Sequence, residues 1–190
     1  VQHISAYHLT IEENTRFGRM LERGELNETE EERSEAEFLQ VHKSLTEAGY
    51  EHYEVSNYAL VGYRSKHNSS YWRGVEYLGI GPGAHSFNGE VRRWCEQRLE
   101  DYVERVEYGQ EVLTGRDRLN EYVMTSLRCA EGISLDYIER AFGLAERERV
   151  EREAAKMGVS ELLIDDGGSL RIAPEKMLLS DFVIESLIEL

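Results

Sequence analysis

The chain has 190 residues, of which 22 are Lys or Arg and 37 are Asp or Glu, so its formal net charge is −15 at pH 7. That length is enough to bury a hydrophobic core and suggests one or two domains. The acidic balance disfavours nucleic acid and anionic membranes as partners. The sequence holds only two cysteines, no signal-peptide pattern and no apolar run long enough for a transmembrane segment, which is consistent with a cytoplasmic location.

The first part of the chain predicts strands that alternate with a helix. Residues 3–11 are apolar on both faces, which is typical of a buried parallel strand. Thr29 and Glu32 predict a capping box at the start of residues 30–48, which carry an apolar stripe at helical spacing. Residues 50–58 alternate as the next strand. Strand, helix and strand together predict a βαβ unit with parallel strands. Glu54 lies on the opposite face of its strand from the apolar residues, so it faces either a cavity or solvent.

Residues 65–86 concentrate the chemistry that could bind a ligand. Within them, residues 67–72 have the sequence HNSSYW. An imidazole can ligate a metal or haem iron, an amide both donates and accepts hydrogen bonds, and Tyr and Trp offer flat apolar faces with polar tips. This set suits a planar conjugated ligand. Adjacent aromatic residues also commonly fill the end of a core, and the residue types alone leave both interpretations open.

A glycine-rich motif, GIGPGAH, occupies residues 79–85 behind a short apolar strand. Glycines let a ligand approach the main chain closely. A dinucleotide-binding fingerprint would require a helix next and an acidic residue about 20 positions later, whereas the following residues predict more strand and then a turn. The motif is therefore predicted to be a turn at the end of a barrel strand, where barrels place their active sites. Cys95 follows the next strand and is predicted to be a buried structural thiol.

From residue 99 onward the pattern changes to helices, so we place a domain boundary within residues 96–113, dividing the chain into 1–97 and 98–190. Apolar stripes predict helices and one hairpin, over residues 119–130, 134–142, 150–157, 162–172 (the hairpin) and 174–187. Thr114 and Asp117 predict a capping box before the first of these helices, and Ser134 predicts the cap of the second. Such an order resembles a winged-helix arrangement. Residues 116–190 hold 10 basic against 16 acidic residues, a net charge of −6. Because a DNA reader needs a basic face, a module that docks a partner protein is the better alternative.

The motifs together carry a family resemblance. YEVSNYA from residue 53, HNSSYW, YLGIGPGAHS from residue 77 and the opening HISAYHLTIE resemble the C-terminal half of HemW-type haem chaperones. These are relatives of the oxygen-independent coproporphyrinogen III oxidases within the radical S-adenosylmethionine (SAM) enzymes. The resemblance covers most of the chain. It implies an α/β plus α+β fold: the C-terminal strands and helices of an incomplete (β/α) barrel, followed by a small helical winged-helix-like domain.

The resemblance also implies two groups of binding residues. The haem or porphyrin side would be formed by His67, Asn68, Tyr71 and Trp72. The SAM side would be formed by Thr10, Gly79, Gly81, Gly83, Ala84 and His85. The complete protein would bind haem and pass it to a haem-acceptor protein; the alternative is an oxidase that decarboxylates coproporphyrinogen III.

One departure from the family pattern concerns its [4Fe–4S] cluster, which the family binds through a Cys-x3-Cys-x2-Cys motif. Here the only cysteines are Cys95 and Cys129, 34 positions apart. We therefore expect this chain to be a fragment that lacks the cluster ligands and is inactive as a radical SAM enzyme. No residue of this chain is assigned a catalytic role.

Overall fold

The computed structural model describes residues 1–95 and 98–189. Its nine strands are β1 (His3–Ser5), β2 (Glu51–Glu54), β3 (Asn57–Ala59), β4 (His85–Phe87), β5 (Val91–Trp94), β6 (Gly109–Val112), β7 (Ile133–Ser134), β8 (Leu163–Asp165) and β9 (Ser169–Ile172). Its eight α-helices are α1 (Arg16–Glu22), α2 (Glu31–Glu47), α3 (Lys66–Trp72), α4 (Leu99–Glu104), α5 (Gly115–Leu127), α6 (Leu135–Phe142), α7 (Leu144–Ala154) and α8 (Ser180–Leu187), with a 3₁₀ helix at Pro174–Leu179. No helix within these described ranges combines the length and the apolar character needed to cross a bilayer.

The strands form three small antiparallel sheets, and none of them closes into a barrel within the described residues. The first sheet has the order β1-β3-β2, and β3 runs antiparallel to both neighbours. β1 and β2 therefore run parallel to each other, as the predicted βαβ unit requires, but β3 lies between them and they do not pair directly. The helix predicted over 30–48 is confirmed as α2. Residues 50–58 were expected to be one strand, but the chain reverses at Val55 and Ser56, and β2 and β3 pair as a hairpin.

The strand expected over residues 3–11 ends at Ser5, so Thr10 lies on no strand. Tyr7 and Leu9 are 73% and 68% exposed, although their apolar character predicted burial. The physical reason is that β1 pairs with β3 on one side only, and among the described residues no layer covers the side chains of Tyr7 and Leu9. The apolar side chains there are left facing solvent.

The second sheet carries the glycine-rich region at one end. Its order is β4-β5-β6, with Phe87 opposite Arg92 and Trp94 opposite Gly109. The strand and turn predicted after the glycine motif are confirmed as β4 and the turn at residues 88–90. Cys95 is 1% exposed, as predicted. The predicted boundary between residues 97 and 98 adjoins residues 96–97, outside the described residues, and it stays a prediction; β6 lies beyond it and pairs with β5.

The hydrophobic core lies in the C-terminal region, around the sheet β7-β9-β8. Helix α5 begins with the capping box expected from Thr114 and Asp117: the Thr114 side chain accepts from the Asp117 amide at 3.2 Å, and the Asp117 carboxylate accepts from the Thr114 amide at 2.8 Å. Ser134 caps α6 in the same way, accepting from the Tyr137 amide. The predicted hairpin over 162–172 is confirmed as β8 and β9. Phe38 of α2 packs against this core, which joins the two parts of the chain.

Candidate functional site

The HNSSYW motif lies on the short helix α3 and not in an irregular connection. Ser65 begins this helix, because its hydroxyl accepts a hydrogen bond from the Asn68 amide at 3.2 Å. Helical spacing then places His67 one turn before Tyr71, on the same face. Their rings are perpendicular, with centroids 5.0 Å apart. The helix therefore presents an exposed imidazole directly beside an aromatic ring.

A row of aromatic rings continues from α3 into the second sheet. The Tyr71 ring meets the edge of Tyr77, with centroids 4.9 Å apart, and Tyr77 lies 6.1 Å from Phe87. The backbones of Tyr77 and Phe87 exchange two hydrogen bonds of 2.9 Å each. Edge contacts of this kind are worth about 0.5–1.5 kcal/mol beyond burial. They fix α3 against the sheet through side chains that remain accessible.

This aromatic row forms one wall of a cleft of about 780 Å³. That volume lies in the range of about 300–1,000 Å³ typical of small-molecule and cofactor sites. Trp72 follows Tyr71 on the same wall. The opposite wall is formed by α5 and α6 with another group of large side chains: Tyr122, Met124, Tyr137 and Phe142. The cleft is thus lined by aromatic residues on both sides, and its walls come from the two parts of the chain.

The two walls are joined by backbone and ionic contacts. The Val55 amide donates to the Arg128 carbonyl at 2.9 Å, and the Ala130 amide donates to the Tyr53 carbonyl at 3.1 Å. Arg92 of β5 binds Glu121 of α5 at 2.6 Å. The separation of the walls is therefore set by the fold.

A second arginine, Arg64, joins the walls in the same way. It binds Glu51 at 3.1 Å and Glu131 on the far side of the cleft. Its guanidinium also lies 5.4 Å from the Tyr53 ring centroid. The two carboxylates that line the cleft, Glu121 and Glu131, are thus each paired with an arginine.

Trp72 has an unsatisfied donor. Among the described residues, its indole Nε1 is the only buried side-chain nitrogen or oxygen without a hydrogen-bond partner. A buried donor left unpaired costs about 1–3 kcal/mol. Because Trp72 lines the cleft, an acceptor on a bound molecule would remove that cost.

Burial raises the pKa of two titratable groups near the cleft. Burial raises the pKa of the Cys129 thiol to about 12, and the charges of Glu131 and Glu54 act in the same direction. A thiol with that pKa is a poor nucleophile and metal ligand at neutral pH. Glu54 faces neither a cavity nor solvent: it is 1% exposed, burial raises its pKa, and its carboxylate accepts from Asn57 Nδ2 and the Ser56 amide.

The glycine motif lies apart from this cleft. Tyr77 makes only an isolated bridge, so the strand predicted ahead of the motif does not form. Gly81 and Gly83 have φ angles of +109° and +72°, in the left-handed region that favours glycine. The Gly83 amide donates to the Cys95 carbonyl at 2.5 Å, and the Cys95 amide donates to the Ala84 carbonyl at 3.1 Å. The motif is therefore a turn fastened to the end of β5.

The structure brings together only part of the predicted residue set. Tyr71 and Trp72 line the cleft, His67 lies next to Tyr71, and none of residues 79–85 lines that cleft. His85 is exposed and stacks on Trp94, its partner across β4 and β5. Thr10 lines a separate cavity with Ile11, Phe17, Met20 and other α1 residues. The haem and SAM groups of residues thus occupy different places.

Sequence reasoning missed most of the cleft. Tyr77 and Phe87 were not assigned, although Tyr77 opens the glycine motif, and neither were Arg73 or the residues of α5. Arg73 directly follows the HNSSYW motif, which was a usable signal. The contribution of α5 has no such signal, because only the fold brings that helix opposite α3.

Gly79 is expected to be indispensable for the shape of the glycine turn. A Cβ at this position would lie 2.1 Å from the His85 carbonyl oxygen, which belongs to the backbone. Gly79→Ala should therefore lower the free energy of unfolding by about 1–3 kcal/mol, because the turn has to move. Gly168→Ala is the matched control, since a Cβ there meets nothing within 4 Å. Urea unfolding followed by circular dichroism measures both, and equal midpoints would refute the expectation.

Comparison with known proteins places the chain in a family. The family model described as the HemN C-terminal domain matches residues 113–179. The heme chaperone HemW of Mycobacterium tuberculosis is 32% identical over 194 residues, covering 99% of this chain and 48% of the relative. Radical S-adenosyl methionine domain-containing protein 1, mitochondrial, of Danio rerio is 32% identical over 204 residues, covering 98% of this chain and 46% of the relative.

A shorter match and a solved structure agree with these relatives. The heme chaperone HemW of Escherichia coli is 47% identical over 83 residues, which is 44% of this chain and 21% of the relative. The structure described as coproporphyrinogen III oxidase (HemN) from Escherichia coli, a radical SAM enzyme, superposes with a TM-score of 0.64 at 16% identity, covering 90% of this chain and 44% of that chain. That likeness establishes the mixed α/β fold. The chain spans about half the length of the curated relatives it matches, and it belongs to the family of HemW-type haem chaperones and the related HemN proteins.

Proposed function

We propose that this chain contributes the haem-binding cleft of a haem chaperone, with the porphyrin ring held between α3 and α5. The observation that carries the proposal is the aromatic lining on both walls of one cleft, beside an exposed imidazole. A porphyrin is a flat conjugated ring, and aromatic side chains bind such rings by stacking and edge contacts. His67, which contacts the cleft-lining Tyr71 on α3, would ligate the iron, since a neutral imidazole is a common haem ligand. Asn68 would support it from the same turn.

The relatives favour a chaperone over an oxidase. Proteins at 32% identity over nearly the whole chain carry the name heme chaperone HemW, whereas the oxidase is related at 16% identity, which supports the fold alone. In the complete protein we infer that haem is the cargo and that a haem-acceptor protein receives it. Oxidation of coproporphyrinogen III remains the alternative activity.

The iron–sulfur cluster of the radical SAM enzymes does not fit the residues of this chain. Such clusters are held by several cysteine thiolates, and the sequence has two cysteines. Cys95 is buried, and the pKa of Cys129 is about 12. No group of three or more potential metal ligands occurs among the described residues. We infer that the complete protein holds its cluster through cysteines outside these 190 residues.

For SAM, the glycine turn stays a candidate contact. Gly81 and Gly83 leave the backbone open, since a Cβ at either would meet nothing within 4 Å. A nucleoside or amino-acid group could then lie against the main chain at this turn, with Ala84 and His85 beside it. Thr10 lines a different cavity in this structure. It would contact the same ligand only if the rest of the complete protein brought it next to the glycine turn.

For the C-terminal part, we infer a winged-helix-like domain that serves ligand or protein binding. The order α5, β7, α6, α7, β8, β9 around one three-stranded sheet supports this interpretation. The net charge of −6 over residues 116–190 argues against DNA as its ligand. In a protein as long as the relatives, a barrel would be assembled from the first two sheets together with residues outside this chain.

The haem proposal is tested by titrating the 190-residue chain with haemin and recording the Soret band. His67→Ala should shift the band and weaken binding by about tenfold or more, equivalent to about 1.4 kcal/mol, because an axial ligand is lost. His8→Ala is the matched control, since His8 is also exposed but lies far from the cleft-lining residues in sequence and contacts Ser34. An unchanged spectrum and affinity in His67→Ala would reduce the motif to a packing role.

A further inference from the structure

Four arginines line the cleft, and they fall into two classes. Arg64 and Arg92 are each bound by two carboxylates: Arg64 by Glu51 and Glu131, Arg92 by Glu111 and Glu121. Arg73 and Arg118 make no side-chain hydrogen bond or ion pair with any part of the chain that the structure describes. The cleft therefore holds two guanidinium groups that form no ion pair with a carboxylate of the described residues.

These two arginines extend from opposite walls. Arg73 is the C-terminal cap of α3, directly after Trp72. Arg118 lies on α5 one turn before Tyr122, and both of these residues line the cleft. Residues four apart share a helix face, so the charge of Arg118 lies on the same face as the Tyr122 ring. Each wall thus offers an aromatic surface next to an arginine.

The charges around Arg73 and Arg118 determine where a negatively charged group of a ligand can bind. The chain carries a net charge of −15, so its overall field repels anions. The acidic residues of the cleft, Glu121 and Glu131, are already paired with arginines. A ligand carboxylate would therefore find its favourable partners at the two unpaired guanidinium groups, which bind carboxylates strongly and with defined geometry.

We propose that Arg73 and Arg118 form a carboxylate-binding subsite that selects planar conjugated ligands bearing carboxylates, such as the two propionates of a porphyrin. This inference rests on the proposed haem-binding function and deepens it. Through Arg118, the C-terminal part of the chain would contact the ligand directly. It also gives the subsite a role separate from iron ligation, so that a metal-free porphyrin should be recognised as well.

The test compares metal-free protoporphyrin IX with its dimethyl ester, in which both carboxylates are neutral, by quenching of tryptophan fluorescence. The wild-type chain should bind the free acid about tenfold more tightly than the ester. The variant Arg73→Gln/Arg118→Gln should lose that preference, through weaker binding of the free acid and unchanged binding of the ester. Arg73→Lys/Arg118→Lys, which keeps the charge, should retain part of it.

Arg116→Gln is the matched control for charge, because Arg116 is exposed on the same helix and does not line the cleft. It should keep the full preference. Equal affinity of the wild type for the acid and the ester, or a preference that survives in the double glutamine variant, overturns the subsite while leaving haem binding in place. If the wild type binds neither porphyrin and gives no Soret band with haemin, the proposed function fails and the subsite fails with it. Circular dichroism of the variants distinguishes misfolding from lost contacts.

Discussion

Leu127→Ala is expected to lower the free energy of unfolding by about 2–5 kcal/mol. Leu127 is fully buried at the end of α5, within the core that surrounds the third sheet. Removing most of its side chain loses the transfer free energy of the buried carbons and leaves a cavity that the packed neighbours fill only in part. Urea unfolding followed by circular dichroism should show a lower midpoint with an unchanged slope.

Met124 provides the matched control on the same helix. Its side chain lines the cleft and is 39% exposed, so Met124→Ala should cost less than about 1 kcal/mol. The contrast depends on which face of α5 a residue occupies. If both variants were destabilised equally, the assignment of one face to the core and the other to the cleft would be wrong.

The same two faces explain how the cleft keeps its shape. Leu119, Val123 and Leu127 recur every four residues and are buried in the core, while Arg118 and Tyr122 line the cleft. Burial of the first face therefore orients the second. An apparent ligand-binding defect in a core variant such as Leu127→Ala would have to be compared with its unfolding midpoint before it was assigned to the site.

The sequence predicted the elements whose stability is local. Helix α5 and its capping box, the Ser134 cap and the hairpin of β8 and β9 all follow from residues close together in the chain. The capping box predicted from Thr29 and Glu32 is an exception. Helix α2 instead begins after Glu30, which makes no side-chain cap, and it is held by packing.

The predictions that were wrong or missing depend on contacts between residues far apart in the sequence. Residues 50–58 lack glycine and proline, and Ser56 and Asn57 are only a weak turn signal between strand residues. The reversal at Val55 and Ser56 is stabilised by the bond from the Val55 amide to the Arg128 carbonyl, 73 positions away in the chain. For the same reason the pairing of α3 with α5 across the cleft was not predictable. The Ser65 cap of α3, in contrast, was a local signal that was overlooked.

A pair of histidines, His42 on α2 and the buried His52 on β2, makes the stability of the first sheet depend on pH. His52 on β2 is 7% exposed and stacks on Tyr58, with ring centroids 4.1 Å apart. Its Nδ1 lies 3.0 Å from Nδ1 of His42 on α2, and its Nε2 lies 3.3 Å from the Val55 carbonyl. The two Nδ1 atoms share one hydrogen bond only while at least one ring is neutral, since two imidazolium rings at this distance would repel.

Burial lowers the pKa of His52 from 6.5 to about 4, and the charge of His42 adds to the effect, while the Val55 carbonyl opposes it. The unfolded chain takes up a proton near pH 6.5, but the folded chain resists protonation until about pH 4. Above pH 6.5 His52 is neutral in both states and does not reduce the free energy of unfolding. As the pH falls from 6.5 to about 4, the free energy of unfolding decreases, because His52 takes up a proton only in the unfolded chain. The loss amounts to about 3 kcal/mol.

His52→Phe should remove this pH dependence, because phenylalanine keeps a flat ring against Tyr58 and cannot take up a proton. Its free energy of unfolding, measured in urea from pH 7 down to pH 4.5, should fall less steeply than that of the wild type by about 1.4 kcal/mol per pH unit at most. His67→Ala, which alters an exposed histidine, should follow the wild-type slope. Parallel slopes for His52→Phe and the wild type would mean that His52 is protonated in the folded chain as readily as in the unfolded one.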